Sequence, residues 1–166
     1  MIVRLSKILM VFLVGLYALF VAANNILDYN TNFVALRHVM AMDTVLPTST
    51  LTWRAITSEP VHHAAYWLII GFQLLIGVLC ATGAARLLGA KDGTAAQFQA
   101  AKHLAVAGLV CGFVLWFFGF LIIAGEWFVM WQSEDWDVRQ SSFRVAASFT
   151  LVLIFLNQPD DELEKA

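Results

Sequence analysis

Four stretches of this chain, at about residues 8–27, 61–88, 104–128 and 138–156, are apolar over enough length to cross a lipid bilayer. A hydrocarbon core of about 30 Å needs about 20 residues of α-helix. None of the four alternates apolar and polar residues with the period of two that a membrane strand requires. In lipid every backbone N–H and C=O must find an internal partner, so each stretch is expected to be helical. The expected fold is all-α: a four-helix transmembrane bundle, formed as one integral membrane domain over residues 1–166.

Charge agrees with this. Soluble domains carry about 25% charged residues, whereas here 13% are charged and 60% are hydrophobic. So few charges cannot cover a water-facing surface, and the bilayer is therefore the first expected partner. The net charge of −2 and the lack of a basic run exclude nucleic acid as a partner. Cys80 and Cys111 sit inside apolar runs, without CxxC or zinc spacing, and read as small packing residues. The chain has no HExxH motif, phosphate-binding glycine loop, dinucleotide fingerprint or nucleophile–base arrangement, so the reading leans away from an enzyme.

The first stretch, with Arg4 and Lys7 before it and Ala22-Ala23 near its end, has the shape of a signal peptide. Asn24, Asn25 and Asp28 prolong a helix-compatible polar face past the possible cut, so a retained span is expected. Orientation follows the basic residues of short loops. Arg4, Lys7, Arg86, Lys91, Lys102 and Lys165 fall on one side, against Arg37, Arg54 and Arg139 on the other. That bias predicts cytoplasmic N- and C-termini. Ser58-Glu59-Pro60 supplies a cap and a proline for the start of the second span, and Asn157-Gln158-Pro159 stops the fourth.

The connections are unequal. Residues 90–97 and 129–137 form short turns, but the first outer segment runs from Asp28 to Pro60. In it Phe33, Leu36 and Met40 recur at helical spacing, which predicts a surface helix and an ordered, partly helical cap over the outer end.

Polar residues inside or beside spans are informative because lipid makes them costly. Asn25, Asp28, Glu126 and Arg144 fall at one outer level, and the outer loop adds His38, Asp43 and Arg54. Glu126 and Arg144 stand on consecutive antiparallel spans and are expected to pair, either to fix helix register or as one side of a ligand or ion site. In the string HVMAMD, His38 and Met42 suit copper, with His62 and His63 as further candidate ligands. The simpler reading makes Met40 an apolar anchor, gives His38 a hydrogen bond within the cap and lets Asp43 cap a turn. Haem needs axial ligands facing each other at one depth, which His103 and the His62-His63 pair do not provide. Gln73, mid-span and uncharged, is expected to bond across helices. Gly108 and Gly112 form a GxxxG face for packing within the bundle or for dimerisation. Trp131 and Trp136 suit an aromatic belt at the headgroup level, which by itself does not explain Glu126 directly before Trp127.

The outer pattern of Asn25, Asp28-Tyr29, Asn32-Phe33, His38-Val39, Met42-Asp43-Thr44 and Arg54 is followed by EWFVMWQS, Trp136 and Phe143-Arg144. This pattern resembles a bacterial group known only as predicted small integral membrane proteins, a domain of unknown function. The resemblance covers nearly the whole chain. It implies four spans and a bacterial inner-membrane location, and it brings no activity, ligand or catalytic residue.

Function is expected to be that of a non-enzymatic accessory or interaction subunit, with a partner protein or a second copy in the membrane. One alternative is binding or transport of a small ligand or ion at the polar layer formed by Asn25, Asp28, His38, Asp43, Arg54, Glu126 and Arg144. Another is a copper protein.

Overall fold

The computed structural model describes residues 1–162. Six α-helices follow in order: α1 (Ile2–Leu27), α2 (Tyr29–Ala41), α3 (Glu59–Gly89), α4 (Ala95–Ala100), α5 (His103–Phe113) and α6 (Arg139–Asn157). Val114–Trp127 continues α5 as a π-helix. α1, α3, α5 with its π continuation, and α6 are each long and apolar enough to cross a membrane. The four expected spans are thus present, and the described residues are helical without strands.

The buried residues of α1 explain its packing. Arg4, Ile8, Val11, Gly15, Ala18, Ala22 and Asn25 recur every three or four positions and form one seam. This seam meets a matching one on α3 that includes Gln73, Ile76, Gly77, Cys80, Gly83, Ala84 and Leu87. Around the bundle α3 then packs on α5, while α5 and the π segment pack on α6. Small residues set the spacing, as expected where lipid removes the hydrophobic drive between helices. A Cβ on Gly108 would lie 2.7 Å from Cys80 Sγ on α3, and one on Gly112 would overlap the Phe149 ring on α6. The GxxxG face is therefore used inside the bundle, with its two glycines turned to different helices.

At one end, here called the capped end, the chain leaves α1 through Asp28 and immediately enters α2. This is the surface helix that Phe33, Leu36 and Met40 predicted, with Phe33 and Met40 buried. Met42 ends it in the left-handed region at φ 52°. The rest of the loop is tied down by Ile56 N–H donating to Met40 O at 2.8 Å and Thr44 Oγ1 donating to Ser133 Oγ at 2.9 Å. Met40, Met42, Phe128 and Val129 close an apolar cluster between the two capped-end loops. Ser58 stands at the N-cap of α3, but its hydroxyl makes no capping bond. Its backbone carbonyl serves instead, accepting from the N–H groups of Val61 and His62.

Two features depart from the expected architecture. The third span was expected to be an ordinary α-helix, but its second half winds with i→i+5 bonds, ending at Phe128 N–H to Ile123 O at 3.0 Å. Such winding is rare and is frequently found at functional sites. Val129 then takes a left-handed φ of 46°, which is costly for a β-branched residue and turns the chain sharply back into the cap. The short turn at the other end also carries a helix, α4. Thr94 and Gln97 form its capping box, with Gln97 N–H donating to Thr94 Oγ1 at 3.2 Å and Thr94 N–H to Gln97 Oε1 at 2.9 Å.

Candidate functional site

The tight seams do not run the full length of the bundle. α3 packs closely along α5 but only lightly against the π segment. The space left between them, in the half nearer the cap, is a cavity of about 630 Å³. Its walls come from every span: Tyr17 and Asn25 of α1, Phe72 and Gln73 of α3, Trp116 and Ile123 of the π segment, and Ser142 and Val145 of α6. Leu36 and Met40 of α2 form its roof. No Asp, Glu, Lys, Arg or His is among the lining residues. Leu68 and Phe118 line it too, yet both are exposed on the outer wall of the bundle. The cavity therefore reaches the flank of the protein that lipid tails would cover.

Its polar content is small and ordered. Asn32 Nδ2 donates to Asn25 Oδ1 at 2.8 Å, and Asn25 Nδ2 donates to Gln73 Oε1 at 2.9 Å. Gln73 thus bonds across helices as its mid-span position predicted. Only 2% of it is exposed, and its Nε2 has no partner among the described residues.

The other polar residues expected to share this level do not converge on it. Glu126 and Arg144 form no ion pair; both are exposed. This corrects the expected pairing, and the reason is helical phase. The buried face of α6 runs through Ser142, Ala146, Phe149, Val152 and Leu156, which puts Arg144 on the opposite face. On the preceding span, the basic side chain packed against the Gly125-Glu126 turn is Arg139, whose Cδ lies 3.2 Å from where a Cβ on Gly125 would stand. Arg139 pairs with Asp137 at 2.8 Å, and its hydrogen bond holds the Asp137 carboxyl below the usual carboxylate range. Asp28 is exposed and accepts from Thr31 Oγ1 at 2.8 Å. Arg54 bridges the two capped-end loops: its Nη1 donates to Trp127 O at 3.2 Å, and its guanidinium lies 4.6 Å from the Trp127 ring centroid and 5.3 Å from that of Trp53.

The candidate copper ligands are likewise spread over separate contacts. His38 bonds Asp43 at 2.9 Å and stacks on Trp136. Met42 is buried in the apolar cluster of the cap. His62 Nε2 lies 2.7 Å from Ile56 O, and His63 lies 2.7 Å from Tyr29 OH while stacking on Phe33. Among the described residues, no group of three or more His, Cys, Asp or Glu side chains could hold a metal ion.

A second polar site stands at the opposite end, and sequence reasoning missed it. Lys7, fully buried, donates from Nζ to Asp160 Oδ1 at 2.8 Å and to Gln158 O at 2.7 Å. Lys102 reaches the other oxygen of the same carboxylate and also Gln99 Oε1 at 2.8 Å. Arg4, over the Phe98 ring, donates to Lys91 O, Gly93 O and Asp161 O at 2.9, 2.6 and 2.9 Å. Three cations thus clamp the segment that follows α6 onto the ends of α1 and α5 and onto the α3–α4 turn. Burial raises the Asp160 pKa, but the hydrogen bonds from Lys102 and Lys7 more than reverse this and leave it below the usual carboxylate range. Burial also pulls the Lys102 pKa below the ordinary lysine value, against the opposing pull of Asp160. The available signal was that Arg4 falls on the same three-and-four seam as Val11, Gly15 and Ala18, which predicts burial rather than exposure.

Residues 3–159 match the family described as predicted small integral membrane protein (DUF2165). No curated protein and no solved structure shows a significant match to the chain.

Proposed function

Since the chain belongs to this family of predicted small integral membrane proteins, we propose that it holds an apolar small molecule, drawn from the surrounding lipid, in the chamber beneath its cap. The observation that carries this reading is the chamber itself: about 630 Å³, free of charged lining groups, and reaching the lipid-facing flank between α3 and the π segment. Ligand sites are typically mostly apolar clefts of about 300–1,000 Å³ with a few placed polar groups. The role is a non-enzymatic one, in which the molecule is held or passed on rather than changed.

In this reading the membrane is the bacterial inner membrane and both termini are cytoplasmic. The grouping of Arg4, Lys7, Arg86, Lys91 and Lys102 at the end opposite the cap supports that orientation. The chamber then lies in the outer leaflet, and a ligand enters sideways rather than from water.

Gly119 offers a direct test. A Cβ there meets only Leu115 Cδ1 at 3.8 Å, so the site has room for a side chain that would grow into the chamber. Native mass spectrometry of protein released from nanodiscs is expected to show wild type retaining a bound apolar molecule. The Gly119→Phe variant, folded and with its melting temperature kept or raised, is expected to retain about tenfold less. Wild type released without any adduct, or a variant that carries as much as wild type, would overturn the reading.

A further inference from the structure

The chamber has an interior chemistry that narrows what it can hold. Asn32, Asn25 and Gln73 form a chain of amides in which each donor is spent on the next acceptor: Asn32 Nδ2 on Asn25 Oδ1, then Asn25 Nδ2 on Gln73 Oε1. The chain ends on a donor, because Gln73 Nε2 has no partner among the described residues. Across the cavity, Ser142 lines the wall from α6, only 4% exposed, and its hydroxyl is also without a partner among the described residues. Tyr66, 2% exposed, lines the cavity too, and its buried hydroxyl is likewise without a partner among the described residues. Buried polar groups are almost always hydrogen-bonded, so unpaired donors around one cavity call for an acceptor inside it. Water can supply one, but an apolar cavity holds water poorly when its polar partners are few. With charged side chains missing from the lining, an anionic or cationic head would lack the counter-charge that burial demands.

We infer that the ligand of the chamber is an uncharged, long apolar molecule carrying a carbonyl-type oxygen, which accepts hydrogen bonds from Gln73 Nε2 and the Ser142 hydroxyl. This inference rests on the chamber reading above and adds the chemical class of the molecule. The apolar body lies against Trp116, Phe72 and Ile123, while the oxygen sits at the end of the amide chain, which orients Gln73 and fixes the direction of its donor.

The test uses the full chain in nanodiscs with two probes of equal length, a long-chain methyl ketone with a ¹³C-labelled carbonyl and the corresponding alkane. Wild type is expected to bind the ketone about five- to tenfold more tightly than the alkane, the worth of one or two neutral hydrogen bonds. The ketone carbonyl stretch is expected to fall below its value in lipid alone. Gln73→Leu is expected to remove most of the ketone preference by bringing ketone affinity down toward that of the alkane. Ser142→Ala, which leaves the amide chain intact, is expected to remove part of that preference and part of the stretch shift. A ketone that binds wild type no better than the alkane, or whose stretch is unshifted in wild type, overturns the inference even if Gln73→Leu does not fold. In those cases the chamber reading survives. If neither probe binds wild type, or both bind Gly119→Phe equally well, the chamber reading itself fails.

Discussion

Replacing Asp160 with alanine is expected to destabilise the protein by about 3–5 kcal/mol, the usual cost of removing one partner from a buried ion pair. That is a large share of the roughly 5–15 kcal/mol that holds a typical domain folded. The carboxylate is shared by Lys7 and Lys102, whose side chains are 0% and 3% exposed, so its loss strands two ammonium groups away from water. Heating or urea titration in a fixed nanodisc would measure the loss. Protease cleavage near residues 158–162 should rise with it, because the segment after α6 is held by the same contacts. The triple variant Lys7→Met, Lys102→Met, Asp160→Leu separates charge from shape. Replacing the whole cluster with apolar side chains is expected to recover most of the loss, since buried pairs contribute little net stability over well-packed apolar residues. A triple variant as unstable as Asp160→Ala would show that the clamp acts through something other than charge.

The same cluster sets a pH dependence with a definite sign. The folded-state pKa of Asp160 lies below its unfolded value, so its stabilisation is complete above the unfolded carboxyl pKa of about 3.9 and is lost as pH falls through the lower folded value. Lys102 shifts downward too, so the folded state holds that proton less tightly. Its cost is constant at neutral pH and is relieved only as pH rises from the lowered folded value toward the unfolded lysine value of about 10.4. The clamp should therefore loosen in acid. The wild-type melting temperature is expected to drop more between pH 6 and pH 3 than that of the triple variant, which lacks the carboxylate. Equal drops would assign the acid sensitivity to other groups.

The residues that sequence reasoning placed well are those governed by local rules. Span limits follow from length and hydropathy, so α3 at Glu59–Gly89 and α6 at Arg139–Asn157 fall close to the expected 61–88 and 138–156. Phe33, Leu36 and Met40 gave away α2 because three apolar side chains on one helical face need something to cover them. Gln73 was legible because a lone mid-membrane amide must bond to a neighbouring helix, and Asn25 is that neighbour. What failed needed phase or distance. Glu126 and Arg144 were expected at one depth, but depth does not fix the side of a helix, and the α6 seam turns Arg144 outward. The π winding of Val114–Trp127 has no signature in hydropathy or periodicity, so neither the rotation of Glu126 nor the chamber beside Trp116 could be foreseen. Asp160 lies 153 positions from Lys7, in a segment that reads as polar punctuation after the last span. Lys7 and Lys102 read in the sequence as topology signals, and a cation that marks the inner side of a membrane can still be a buried one. The polar site with the deepest burial was therefore at the end of the bundle where charges had a ready explanation.

Gly83→Val is expected to have an effect of similar size through packing alone. A Cβ on Gly83 would stand 2.5 Å from the backbone nitrogen of Ala105 and 2.7 Å from its Cα. These are main-chain atoms of α5, which no rotamer change can move aside. The helices must separate, and separation also opens the contact between Gly108 and Cys80 that lies along the same interface. Inserting atoms into a well-packed core costs about 1–3 kcal/mol where side chains can yield. Here alanine should reach the upper part of that range, and valine should exceed it and leave little folded protein. Gly71→Ala is the matched control on the same helix, because a Cβ there meets nothing within 4 Å. Replacing a helical glycine with alanine favours the helix by about 0.5–1 kcal/mol, so the control should melt at or above the wild-type temperature. A Gly83→Val protein that melts with wild type would mean that α3 and α5 do not touch at this point. The chamber could not then be explained as it is here, because it arises where a contact this close between α3 and α5 gives way to the wider π segment.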